Sequence, residues 1–213
     1  MAGKSKHKES KKPDRPKRPR KQAKDSTASS KDGVCQIAGW FMSGSQPSLY
    51  SACLDDKIFK TGSRSARMIN AVKNPSGFGT LMQGMDADEY VGKRLSMNIW
   101  IKTEGVDGWA AAWMRVDGAK GRRGRSLAFD NMMNRLIKGT TEWKKYQIVL
   151  DVPEGASKVA FGLMLSGRGK VWIDKVEFKV VSKKVPTTCL YSSGYYGAPR
   201  NLDFEEEPDG RDC

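Results

Sequence analysis

The side chains with the clearest chemical potential lie in the middle of the sequence. Trp109 and Trp113 are followed closely by Arg115, and Asp130 and Asn131 end the next short apolar stretch. Flat aromatic faces stack on sugar rings, while guanidinium, carboxylate and amide groups hydrogen-bond to hydroxyls. These five residues are therefore the candidate ligand-binding set. The ligand that they suggest is a carbohydrate or a similar small polar molecule.

The same residues also permit a structural interpretation. The tryptophans can pack in a protein core. Arg115 and Asp130 can form an ion pair with each other, or Asp130 can pair with Arg135. The sequence leaves both interpretations open.

No catalytic centre is indicated. The chain has one histidine, His7, and it lies in the polar N-terminal stretch, so a Ser-His-Asp or Cys-His arrangement in the folded part is excluded. No pair of carboxylates has a spacing that singles it out for hydrolysis. We expect a protein that is not an enzyme and that needs no organic cofactor.

The four cysteines bear on the redox environment. Cys35, Cys53, Cys189 and Cys213 include no Cys-x-x-Cys pair, which argues against a zinc site. A disulfide such as Cys35–Cys53 is possible, but no secretory signal is visible, so reduced thiols are expected. No stretch approaches the ~18 consecutive apolar residues of a membrane span. We expect a soluble intracellular protein with no membrane partner, cytoplasmic or, in a eukaryote, nuclear.

The N-terminal segment, residues 1–33, is strongly basic. Residues 1–32 hold 12 Lys/Arg against 4 Asp/Glu and contain no Leu, Ile, Val, Phe, Trp or Tyr. Ordering a residue costs about 1–2 kcal/mol in backbone entropy, and no apolar burial offsets it here, so disorder is predicted. The charge suits nucleic-acid phosphates, a nuclear-import signal or a solubility tail. The candidate nucleic-acid contacts are Lys11, Lys12, Arg15, Lys17, Arg18, Arg20, Lys21 and, from a basic loop, Arg122 and Arg123.

The remaining chain is typical of an all-β protein. Over residues 34–182 the sequence reads as short strands between turns, and residues 183–213 read as an irregular extension. Residues 94–102 and 109–116 alternate cleanly, which predicts two strands with one face inward. The last predicted strand, residues 171–181, shows a register change near Asp174. This pattern predicts one antiparallel β-sandwich behind a disordered basic tail.

Several sequence blocks carry a resemblance to a known family. They occur in order and include Gly39-Trp40-Phe41, Gly108–Gly118, Leu127–Met132, Gly139–Trp143 and Gly169–Asp174. Together they resemble a bacterial domain that is attached to transcriptional regulators of the arabinose-regulator type. The resemblance implies a galactose-binding-like jelly roll, the fold of many carbohydrate-binding modules. In similar modules the position of Asp174 can hold a structural calcium, so the resemblance implies a possible metal ligand there.

Overall fold

A computed structural model describes residues 36–118 and 126–189 of the 213-residue chain. The described part contains nine strands and no α-helix, which confirms the predicted all-β class. A 3₁₀ turn spans Asp88–Tyr90, between β4 and β5. The strands are β1 (Phe41–Gly44), β2 (Tyr50–Asp55), β3 (Ser65–Asn70), β4 (Phe78–Asp86), β5 (Arg94–Gly118), β6 (Ser126–Asp130), β7 (Ile137–Asp151), β8 (Ala156–Ser166) and β9 (Lys170–Val181).

Strand β5 belongs to both layers of the sandwich. Its first part pairs with β7 and β9, and its second part pairs with β8 and β6, all antiparallel. The strand order therefore divides into a first layer, β2-β3-β9-β5-β7, and a second layer, β1-β4-β8-β5-β6. Bulges between Ile101 and Ala110 let the strand bend from one layer to the other.

The predicted division of this strand into two is wrong. The sequence pattern predicts separate strands at residues 94–102 and 109–116, because Gly105, Asp107 and Gly108 have the composition of a turn. In the structure Thr103 and Val106 still pair with β7, so one 25-residue strand runs through this stretch. The predicted alternation is confirmed on both sides of the bend.

The core lies between the two layers. Leu95, Met97, Ile99 and Ile101 of the first layer are all at most 1% exposed. Tyr50 of the first layer packs against Gly79 of the second, where an added Cβ would lie 2.8 Å from the tyrosine ring. The inner faces therefore meet closely, as in other β-sandwiches.

One side of the sandwich is closed by β5 and the opposite side is open. The strand order ends at β1 in the second layer and at β2 in the first. Because β5 joins the layers, these two strands face each other without pairing. We call this opening the seam.

The segment after β9 is held against the first layer. Arg94 pairs with Asp151 at 2.8 Å and also donates to the carbonyl oxygens of Lys183 and Val185. Burial would raise the pKa of Asp151, but hydrogen bonds from Arg94 and Lys183 hold it below its usual value. Thr188 donates its backbone N–H to Val149 O at 2.8 Å. The sheet edge at β7 is thereby extended by this segment.

Two cysteines differ from expectation. Cys53 and Cys189 are each disulfide-bonded, so the expectation of reduced thiols is wrong for both. No helix in the described residues is long and apolar enough to cross a membrane.

Candidate functional site

Three of the five predicted ligand residues lie on one surface. Strand register puts Trp109, Ala111, Trp113 and Arg115 on the outward side of the second layer. Further outward-facing residues on the neighbouring strands are Phe41, Phe78, Thr80, Met82, Phe129 and Met164. We call this surface the tryptophan face.

Trp113 lies flat on the sheet. Its indole nitrogen donates to Thr80 Oγ1 at 2.8 Å, and Thr80 lies two strands away, beyond β8. Adjacent strands are about 4.8 Å apart, so the indole must extend along the sheet surface to reach it. Gly162 faces Trp113 on β8 and leaves room for the ring. Trp113 is only 6% exposed and forms part of the floor of the face.

Trp109 and Arg115 are more accessible than Trp113. Trp109 is half-buried and makes a tilted contact with Phe78, with ring centroids 6.2 Å apart. The Arg115 side chain is 43% exposed and forms a two-point ion pair with Asp117, at 2.8 and 3.0 Å. These bonds use the N–H groups of Nε and Nη2. The two N–H groups of Nη1 are not part of this ion pair.

Asp130 and Asn131 lie away from the tryptophan face. Asp130 stands opposite Met114, on the inward side, whereas Arg115 stands opposite Phe129 on the outward side. Asp130 is fully buried and pairs with Arg135 at 2.5 Å, the alternative that the sequence left open. Asn131 follows β6 and accepts a hydrogen bond from the backbone of Met133. The five residues therefore do not form one site.

Asp174 is engaged by the backbone. Its carboxylate accepts hydrogen bonds from the N–H groups of Lys60, Thr61 and Lys175, at 2.7, 2.8 and 2.6 Å. No cluster of three His, Cys, Asp or Glu side chains that could hold a metal occurs in the described ranges. The carboxylate fixes the 56–64 loop, and a calcium ion at Asp174 stays a prediction.

A cavity of about 500 Å³ opens at the seam. We call it the seam cavity. Its apolar wall includes Ile37, Trp40, Leu54, Phe161, Ile173 and Phe178, and its polar residues include Arg64, Gln83, Asp174 and Lys175. A second opening of about 380 Å³ adjoins it and shares Ile37 and Trp40.

Aromatic rings meet edge to face inside the seam cavity. Trp40 and Phe161 are 5.6 Å apart at 89°, and Phe161 and Phe178 are 4.7 Å apart at 67°. Gln83 fixes the segment before β1 by donating its side-chain N–H to Gly39 O at 2.7 Å. These contacts hold the aromatic wall in place across the two layers.

A β-bulge shapes the wall of this cavity. Asn98 stands opposite Glu177 and Trp100 opposite Asp174, so Lys175 and Val176 share one partner position. Lys175 has φ +50°, a left-handed conformation that is uncommon outside glycine. The bulge changes the alternation, so Ile173 and Phe178 both face the cavity. The register change near Asp174 is the one sequence signal for this site, and the rest of the cavity was missed.

The predicted nucleic-acid contacts lie outside the described residues. This applies to Lys11, Lys12, Arg15, Lys17, Arg18, Arg20 and Lys21, and to the loop residues Arg122 and Arg123. Their role stays a prediction.

A comparison with known proteins finds a relative among bacterial regulators. The chain is 44% identical over 174 residues to the uncharacterized HTH-type transcriptional regulator YbfP of Bacillus subtilis (strain 168). The match covers 81% of this chain and 58% of that protein, so the chain spans little more than half of its relative. No family model matches the chain.

Solved structures share the fold at low sequence identity. The enzymatically active domain of tailspike protein 4 from bacteriophage CBA120 is similar with a TM-score of 0.52 and 17% identity, over 68% of this chain and 20% of that chain. The CBM22-1 xylan-binding domain of Paenibacillus barcinonensis has a TM-score of 0.48 and 14% identity, over 70% of this chain and 89% of that chain. The predicted jelly-roll sandwich is confirmed as the fold by the two antiparallel layers of the structure itself.

Proposed function

We propose that the sandwich is a non-catalytic module that binds a carbohydrate or a similar small polar ligand on the tryptophan face. The observation that supports this is the composition of an outward sheet surface. An antiparallel sheet normally presents polar residues to water on its outward side. Here that side carries Phe41, Phe78, Met82 and Trp109, none of them fully buried.

The outward side of the first layer is more polar. It carries Ser96, Asn98, Lys145, Gln147 and Lys179 together with Trp100 and Trp172. An exposed aromatic surface beside polar groups is typical of a binding site.

The arrangement suits a sugar ring. Trp109 offers an accessible aromatic surface for stacking, and the flat Trp113 forms the floor beside it. Arg115 Nη1 can donate to ligand hydroxyls, while Asp117 holds the guanidinium in position. The relative's description as a transcriptional regulator supports a sensing role, in which the module reports a ligand to an attached domain.

The test is a calorimetric titration of the full chain with soluble xylo-, gluco- and galacto-oligosaccharides, which measures the affinity for each. We expect Trp109→Ala to weaken binding by about 30-fold, as for a buried aromatic contact. Arg115→Gln should weaken it less. The matched control is Trp100→Ala, which removes a half-buried tryptophan from the outward side of the first layer. No binding across the panel, or equal losses at Trp100 and Trp109, would refute the proposal.

A second candidate function is nucleic-acid binding through the basic segment. The regulator relative and the excess of 12 Lys/Arg over 4 Asp/Glu in residues 1–32 favour it. Binding by phosphate contacts weakens steeply as salt rises and is insensitive to sequence. Mixed-sequence DNA and RNA should bind the full chain and not a version that starts at Gly33, and only at low salt. Tight binding by the shortened chain would contradict this function.

A further inference from the structure

We propose that the seam cavity is a separate site for an amphipathic anion, a small molecule with an apolar body and a carboxylate head. The site lies between the layers, whereas the tryptophan face lies outside the second layer. The inference therefore goes beyond the function proposed above and does not depend on it.

The wall of the cavity selects an apolar body. Its volume of about 500 Å³ falls in the range of small-molecule pockets, about 300–1,000 Å³. Trp40, Phe161 and Phe178 pack edge to face and, with Ile37, Leu54 and Ile173, form a continuous apolar wall. An alkyl or aryl group gains by burying apolar area here.

Arg64 indicates that the ligand of the seam cavity carries a negative charge. The described part of the chain contains six arginines, and five form ion pairs with aspartates: Arg67, Arg94, Arg115, Arg135 and Arg168. Among those six, Arg64 alone has no carboxylate partner, and it alone lines the cavity. A guanidinium presents a rigid fork that matches a carboxylate through two parallel hydrogen bonds.

The other charges at the cavity have partners of their own. Lys175 also lines it, and its nearest carboxylate, Glu177, is 3.9 Å away. Asp174 is the one acidic residue of the lining, and three backbone N–H groups already hold its oxygens. Asp174 is thus committed to the 56–64 loop and Lys175 to Glu177, so Arg64 is the lining cation that can attract an anion.

The experiment uses the full chain and three probes with the same alkyl chain. Dodecanoate, dodecylamine and 1-dodecanol are titrated below their aggregation concentrations by calorimetry. We expect dodecanoate to bind more tightly than the neutral and cationic probes. Arg64→Gln should weaken dodecanoate binding by at least about tenfold and leave 1-dodecanol unchanged.

Two further variants make the result specific. Arg168→Gln removes another exposed arginine, in the β8–β9 turn and outside the cavity lining, and should change nothing. Ala66→Phe fills the cavity and should abolish binding of every probe, with circular dichroism as the check on folding. Equal affinity for dodecanoate and dodecylamine, or an unchanged affinity in Arg64→Gln, would overturn the proposal. So would the absence of dodecanoate binding to the wild-type chain.

Discussion

The hydrogen bond between Trp113 and Thr80 predicts a measurable coupling within the tryptophan face. Both groups are buried, and the Nε1 to Oγ1 distance is 2.8 Å. Thr80→Val leaves the indole N–H without an acceptor, which costs about 1–3 kcal/mol. Trp113→Phe removes the donor and leaves a small void, with a similar expected cost of about 1–3 kcal/mol.

The double mutant should lose less stability than the sum of the single mutants. The expected coupling is about 1 kcal/mol, the net value of a neutral hydrogen bond. Thr80 Oγ1 also donates to Leu163 O at 3.0 Å, but that bond is lost in both Thr80→Val backgrounds and cancels in the cycle. The free energy of unfolding is measured by urea denaturation with far-UV circular dichroism, so the lost tryptophan does not affect the signal.

The measured coupling shows whether Trp113 is a fixed part of the floor of the tryptophan face. If the effects add to within about 0.5 kcal/mol, the indole is not held by Thr80 and the flat placement of Trp113 is refuted. Trp109→Ala is the comparison, because Trp109 has no hydrogen bond of this kind among the described contacts. Its replacement should reduce stability less than Trp113→Phe.

Two more predictions concern paired carboxylates. Replacing Arg94 by Gln should lower the free energy of unfolding by about 1–3 kcal/mol, because Asp151 would lose both hydrogen bonds from Arg94 and keep only Lys183 as a cationic partner. Hydrogen–deuterium exchange of the Thr188 amide should then accelerate, because Arg94 helps to hold this segment against β7. An unchanged exchange rate would contradict that role of Arg94. Burial would raise the pKa of Asp55, but hydrogen bonds from Trp172 and backbone N–H groups lower it overall. Its stabilisation is complete above the ordinary aspartate pKa of about 4 and is lost below it, so Asp55→Asn should reduce the acid dependence of unfolding; an unchanged pH slope would refute this.

The faces of the sheets could be predicted from the sequence, because alternation has a period of two in any strand. Leu95 and Met97 point inward as predicted, and Trp109 and Trp113 share one face as the pattern indicates. That this shared face points outward is shown only by the structure. The continuity of β5 could not be predicted in this way. Its bulged middle has the composition of a turn, and only pairing with β7 keeps it extended.

The two candidate sites also differ in how far they could be predicted from the sequence. The tryptophan face is largely local in sequence, since one strand supplies Trp109, Trp113 and Arg115. The seam cavity joins Trp40, Arg64 and Phe178 from segments at opposite ends of the folded region. No local pattern links them. That Arg64 lacks a carboxylate becomes visible only when every other described arginine has been paired in three dimensions.

Strand β8 contributes to both sites, so the two sites must be tested with substitutions at residues that belong to only one of them. Phe161 lies in the wall of the seam cavity, and the next residue, Gly162, lies beneath Trp113 on the tryptophan face. Protein interiors are close-packed, so a change at either residue would displace the strand and disturb both surfaces. Arg64 and Trp109 lie on other strands or loops, each at only one of the sites. Loss of dodecanoate binding in Arg64→Gln with oligosaccharide binding retained, and the reverse in Trp109→Ala, would therefore distinguish two independent sites from a general loss of packing.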